Sequence, residues 1–95
     1  LEGVRRVSKY AEQAAEKLMS SNPLVFKEFR GRGLLIGFVC GPTNSGLVNS
    51  ALDHGLLCHT AGNNVLRLLP PLIIDETHVD EAFTVLDVVA KSSAA

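Results

Sequence analysis

Tryptophan is absent from this 95-residue chain, and tyrosine occurs once. With aromatics at 5% of residues, stacking on bases or sugar rings has few platforms. Charge is balanced as well: nine basic and ten acidic side chains leave a formal net charge of −1. That gives no electrostatic reason to expect nucleic acid or an anionic membrane as a partner. No apolar stretch approaches the roughly 20 residues that a membrane-spanning helix needs. The N-terminal segment carries a helical pattern where a signal peptide would have its apolar core. The two cysteines, Cys40 and Cys58, are too few for a secreted disulfide scaffold. Both stand in apolar runs and read as buried free thiols, so a reducing setting is expected: the cytoplasm, or a mitochondrial or plastid matrix.

The signatures of a self-sufficient catalytic centre are missing too. The histidines, His54, His59 and His78, form no His-x-x-x-His pair, and there is no Cys-x-x-Cys, so no metal site is expected. Cys58 and His59 are neighbours, but adjacent residues on a strand point to opposite faces and do not converge. The serines Ser20, Ser21, Ser45 and Ser50 lie in no G-x-S-x-G context. "GRG" at residues 31–33 lacks the spacing of a phosphate-binding loop and no helix follows it, so it reads as turn chemistry. The acids Glu2, Glu12, Glu16, Asp80, Glu81 and Asp87 fall on helical segments, where solvated faces account for them. No catalytic residue is assigned.

What is present is a foldable pattern. Hydrophobic residues make up 46% of the chain, enough for one small globular domain over residues 1–95. From Gly3 to Ser20, Val4, Val7, Ala11, Ala14, Ala15 and Leu18 recur at helical spacing, and "SSNP" stops the helix. Alternation predicts a strand over Val25–Phe29. The apolar run Leu34–Cys40 predicts a second strand, joined to the first through "GRG" as a hairpin. "GPTNSG" starts a helix capped by Thr43 or Asn44 and running to about His54, with Leu47, Val48, Ala51 and Leu52 buried. Gly55 supplies its left-handed stop. "LLCHT", the turn "AGNN" and "VLRLL" give a second hairpin, which "PPL" ends. A last helix begins near Glu76 behind Asp75, with Val79, Ala82, Phe83, Leu86, Val89 and Ala90 as its apolar stripe. The expectation is a two-layer α+β fold: a mostly antiparallel sheet of about four strands with helices on one face.

Arg67 does not fit that pattern. It stands in the apolar run "NNVLRLLPPL", and a full positive charge is costly to bury without a partner. Its stem can pack while its head reaches water, it can pair with an acid inside the domain, or its planar fork can hold a carboxylate in two hydrogen bonds. The residues alone leave these open.

"FRGRGLLIGF" and "GLLCHTAGNNVLRLLPPLIIDETHVDEAF" together resemble the C-terminal region of the class III pyridoxal-phosphate aminotransferases, nearest to their acetylornithine branch. The resemblance covers Phe26 to about Leu86. The first helix fits by place and not by motif. It implies the C-terminal small domain of a fold-type I enzyme, with pyridoxal phosphate held mainly by a large domain and a homodimer when intact. It also implies that Arg67 binds the carboxylate of an amino-acid or oxo-acid substrate. The lysine that holds the cofactor in this family is not among Lys9, Lys17, Lys27 and Lys91, so the isolated chain is expected to be inactive. The chain opens on Leu1 already within a helical pattern and closes on "KSSAA", which suits the end of a longer protein. A stand-alone amino-acid-binding or regulatory α+β domain is the alternative.

Overall fold

A computed structural model describes residues 2–32, 35–68 and 75–94. Its elements run α1 (Glu2–Ser21), β1 (Phe26–Arg32), β2 (Leu35–Cys40), α2 (Asn44–Asp53), β3 (Cys58–Ala61), β4 (Val65–Leu68) and α3 (Glu76–Ala94). The strands form one four-stranded sheet in the order β1-β2-β4-β3, and every neighbouring pair is antiparallel. The α+β architecture expected from the sequence is therefore present. The element order is also as expected, and both anticipated hairpin pairings form.

The register explains the layering. Ile36 and Phe38 on β2 stand opposite Leu68 and Leu66 on β4, and Cys58 on β3 stands opposite Leu68. These side chains share one face of the sheet and are all buried. The helices supply the other half of the same core: Val7, Ala11, Ala15 and Leu18 from α1, Leu47 and Ala51 from α2, and the full predicted stripe of α3. Val4's side chain lies outside the described residues. Phe38 sits at the centre, with ring centroids 4.9 Å from Phe26, 5.4 Å from Phe29 and 5.5 Å from Phe83. Tilted and edge-on ring pairs at such distances add to the gain from burial.

Several boundaries differ from the sequence reading. β1 extends to Arg32, so the first two residues of "GRG" belong to the strand and continue its ladder with β2. Gly33, Leu34 and the "PPL" segment lie outside the described residues. In α2, Leu52 is 56% exposed and Val48 half-buried, because the helix presents a narrow face to β3, β4 and α3. Thr43 is the N-cap residue of α2 but its side chain makes no capping hydrogen bond. Gly55 does take the left-handed conformation, at φ 85°. Asp75 caps α3 through its side chain, which accepts the His78 backbone N–H at 2.9 Å.

The two helices that flank the core are tied by polar groups. Buried Asn22 follows α1 and donates its side-chain amide to Leu18 O at 3.1 Å and to Asp87 Oδ1 on α3 at 2.8 Å. Lys91 Nζ donates to the same Asp87 oxygen at 3.0 Å and to Asn22 Oδ1 at 3.3 Å. Tyr10 on α1 donates its hydroxyl to Asp80 on α3, which raises the tyrosine's pKa. Asp80 and Asp87 are thus interhelical partners as well as surface acids.

A second polar knot joins the β3–β4 turn to α2. Asn63 and Asn64 occupy the left-handed region, at φ 63° and 60°, where asparagine is the best tolerated residue after glycine. Asn64 Nδ2 donates to Cys40 O at 2.8 Å and Pro42 O at 2.7 Å, and its Oδ1 accepts the Asn44 backbone N–H at 2.8 Å. Asn44 Nδ2 in return donates to Ala61 O at 3.2 Å and Val65 O at 2.9 Å. The start of α2, the end of β2 and the β3–β4 turn are fixed to one another by these two amides.

Replacing Asn64 with alanine removes three hydrogen bonds, each with a net worth of about 0.5–1.5 kcal/mol, and leaves a β-carbon in the left-handed region. The expected loss is about 2–4 kcal/mol in urea unfolding. Asn64→Gly keeps the backbone comfortable, so it should recover only the conformational part. Asp87 gives a pH dependence. Its pKa is lowered, first by the Asn22 amide and then by Lys91. Its contribution to stability is complete above the unfolded carboxylate pKa of about 3.9 and is lost as pH falls through the lower folded value. Asp87→Asn should therefore flatten the acid limb of a stability-versus-pH curve, and an unchanged limb would contradict this.

Candidate functional site

The face of the sheet away from the core is where Arg67 stands. β4 reads buried, buried, exposed, buried from Val65 to Leu68, and the exposed position is Arg67. Leu66 and Leu68, on either side, are fully buried on the core face. The two-residue period of a strand then directs Arg67 to the opposite face.

Its neighbours follow from the pairing. Arg67 stands opposite Gly37 on β2 and opposite His59 on β3, and Gly37 in turn stands opposite Arg30 on β1. A row Arg30–Gly37–Arg67–His59 therefore crosses the sheet. Gly37 is required by close approach: a β-carbon there would lie 2.7 Å from Leu66 O and 3.3 Å from Arg67 Cα. A side chain is thereby excluded from the gap between the two arginines. Arg30 has Glu28 beside it, with Nε 3.5 Å from Oε1. The Arg67 side chain is exposed and makes no hydrogen bond or ion pair among the described residues. Of the three readings left open by the sequence, pairing with an internal acid is not observed among these residues. A solvated or ligand-holding guanidinium remains.

The other candidate groups are dispersed. Cys58 is buried and His59 exposed, so the neighbouring thiol and imidazole diverge as expected. Burial pushes the Cys58 thiol up to about 11, with nearby Cys40 adding to the shift, and burial raises Cys40 as well. Both are free thiols without nucleophilic character at neutral pH. No cluster of three or more His, Cys, Asp or Glu side chains suited to a metal ion occurs among the described residues. Lys9, Lys17 and Lys27 are exposed, and Lys91 is engaged by Asp87 and Asn22. No described helix is long and apolar enough to cross a membrane.

Sequence reasoning singled out Arg67 but not its row. Arg30 and His59 come into line with it only through the pairing of β4 with β2 and β3. The Asn44–Asn64 knot was also missed, although "GNN" in a tight turn carries a signal for left-handed asparagine.

The comparisons with known proteins agree along almost the whole chain. The class-III aminotransferase family profile matches residues 1–89. An acetylornithine aminotransferase of Caldanaerobacter subterraneus is 42% identical over 88 residues, which are 92% of this chain and 22% of that protein. The mitochondrial acetylornithine aminotransferase of Neurospora crassa is 35% identical over 86 residues, 90% of this chain and 19% of that one. The crystal structure of N-acetylornithine aminotransferase from Stenotrophomonas maltophilia K279a matches with a TM-score of 0.80 at 30% identity, covering 98% of this chain and 26% of that one. The chain thus spans about a fifth to a quarter of the length of these relatives. Family profile, sequence relatives and fold coincide, and the chain belongs to the class-III aminotransferases.

Proposed function

We propose that residues 1–95 are the C-terminal domain of an acetylornithine-type aminotransferase, and that Arg67 receives a substrate carboxylate in the intact enzyme. The observation that carries this reading is the exposed, unpaired guanidinium at the centre of a rigid sheet, among the described residues. Arginine's fork binds a carboxylate through two parallel charge-assisted hydrogen bonds, which fixes orientation as well as affinity. Pairing of β4 with β2 and β3 fixes the backbone from which the fork projects.

The reaction is transfer of an amino group between N-acetylornithine and 2-oxoglutarate. Pyridoxal phosphate, when bound, supplies the electron sink for the substrate carbanion. The described residues do not by themselves fit that cofactor, so its site is assigned to the large domain of the same enzyme. This chain's part is to bind and orient: Arg67 holds the carboxylate so that the amino or oxo carbon faces the cofactor. The isolated chain lacks the cofactor-binding lysine and is inactive. The intact enzyme is a homodimer of the cytoplasm or of an organellar matrix, a setting supported by relatives that include a mitochondrial form.

In the intact enzyme, Arg67→Ala should raise KM for both the amino donor and 2-oxoglutarate by about tenfold or more. That corresponds to loss of a charge-assisted contact worth about 1.5–3 kcal/mol. Arg67→Lys keeps the charge without the fork and should fall between the two. Steady-state kinetics with each substrate varied in turn provide the measurement, and unchanged KM for both would refute the assignment.

A further inference from the structure

We propose that His59 is a second carboxylate-binding residue, donating a ring N–H to the same carboxylate that Arg67 receives; this rests on the reading of Arg67 given above. Directly paired residues on antiparallel strands have β-carbons about 4.5–5.5 Å apart on the same face. His59 and Arg67 are such a pair, and both are exposed. The other side of Arg67 is occupied by Gly37, where no side chain fits. Among the described residues, His59 is therefore the one directly opposed cross-strand side chain beside the guanidinium.

The surroundings leave the imidazole available. The His59 side chain makes no hydrogen bond or ion pair among the described residues. The helix packed beside β3 is α2, on the core side of the sheet; the groove between it and the edge of β3 is lined by Ser45, Val48, Asn49, Cys58, His59 and Thr60, brings no acid to His59 and does not reach Arg67. Among the described side chains, the charged groups on the sheet face are Arg67 next to it and, across Gly37, Arg30 with Glu28. Among the described residues, no acid pairs with the ring at its own end of the row. A carboxylate engaged by the Arg67 fork has lone pairs to spare, since two oxygens offer about four acceptor sites. A neutral imidazole carries one N–H and an imidazolium two, so donation is open to either form.

The test is glutarate binding to the intact enzyme by calorimetry, alongside kinetics with 2-oxoglutarate. His59→Leu should weaken glutarate by about tenfold or more, the value of one hydrogen bond to a charged acceptor. It should raise KM for 2-oxoglutarate in proportion and leave kcat unchanged. His59→Gln, which restores a neutral donor, should return both to within about twofold of the parent. Equal weakening in the leucine and glutamine variants would overturn donation by the ring. Parental affinity in both, with Arg67→Ala still weakened, would overturn the role of His59 and leave that of Arg67 standing. If Arg67→Ala bound glutarate as the parent does, the carboxylate site itself would fall.

Discussion

β4 can sit in this sheet in one register only. Leu66 and Leu68 are fully buried against the helices, and Arg67 between them is exposed. A slip of one residue would turn both leucines outward and drive a guanidinium into a core centred on Phe38. The desolvation of an unpaired charge costs several kcal/mol, on top of the lost burial of two leucines. A single charged residue thereby acts as a register key, and the rest of the sheet is arranged around the strand that carries it. β2 and β3 are both positioned by their pairing to β4, and β1 follows through β2.

The two polar knots serve this arrangement from opposite ends. At the turn end, Asn64 and Asn44 fix where β4 begins relative to β2 and α2, three residues before Arg67. On the helical layer, Asn22, Asp87 and Lys91 hold the end of α1 to α3. In each case an amide makes several hydrogen bonds, so no strong donor or acceptor is left stranded among the groups it touches. The gap at Gly37 adds a third restraint, because the close approach of the β4 backbone leaves no space for a side chain there.

Much of this was legible in the sequence, for reasons that differ by element. The stripe of α3 was read residue for residue, because a helix amphipathic over many turns repeats its signal. α2 was read less well: it touches β3, β4 and α3 along a narrow line, and nothing local distinguishes Leu47 from Leu52. The extension of β1 through Gly31 and Arg32 was hidden by glycines that signal turns in one context and permit close packing in another. The strand order lay beyond reach, since the pairing of Ile36 with Leu68 joins residues far apart in the chain. For that reason Arg67 was visible as an anomaly while Arg30 and His59 were not visible as its neighbours. The family resemblance suggested the carboxylate-binding role proposed for Arg67, which the pattern alone left open.

The buried cysteines have a consequence for how such an enzyme can be handled. With the Cys58 thiol pushed up to about 11, only about one molecule in ten thousand carries a thiolate there at pH 7. Burial raises the Cys40 thiol in the same direction. Burial and a raised pKa both slow alkylation of these two thiols. A cysteine introduced on the open sheet face would be the reactive one, so a single fluorophore could be seated beside Arg67 without first removing the native thiols.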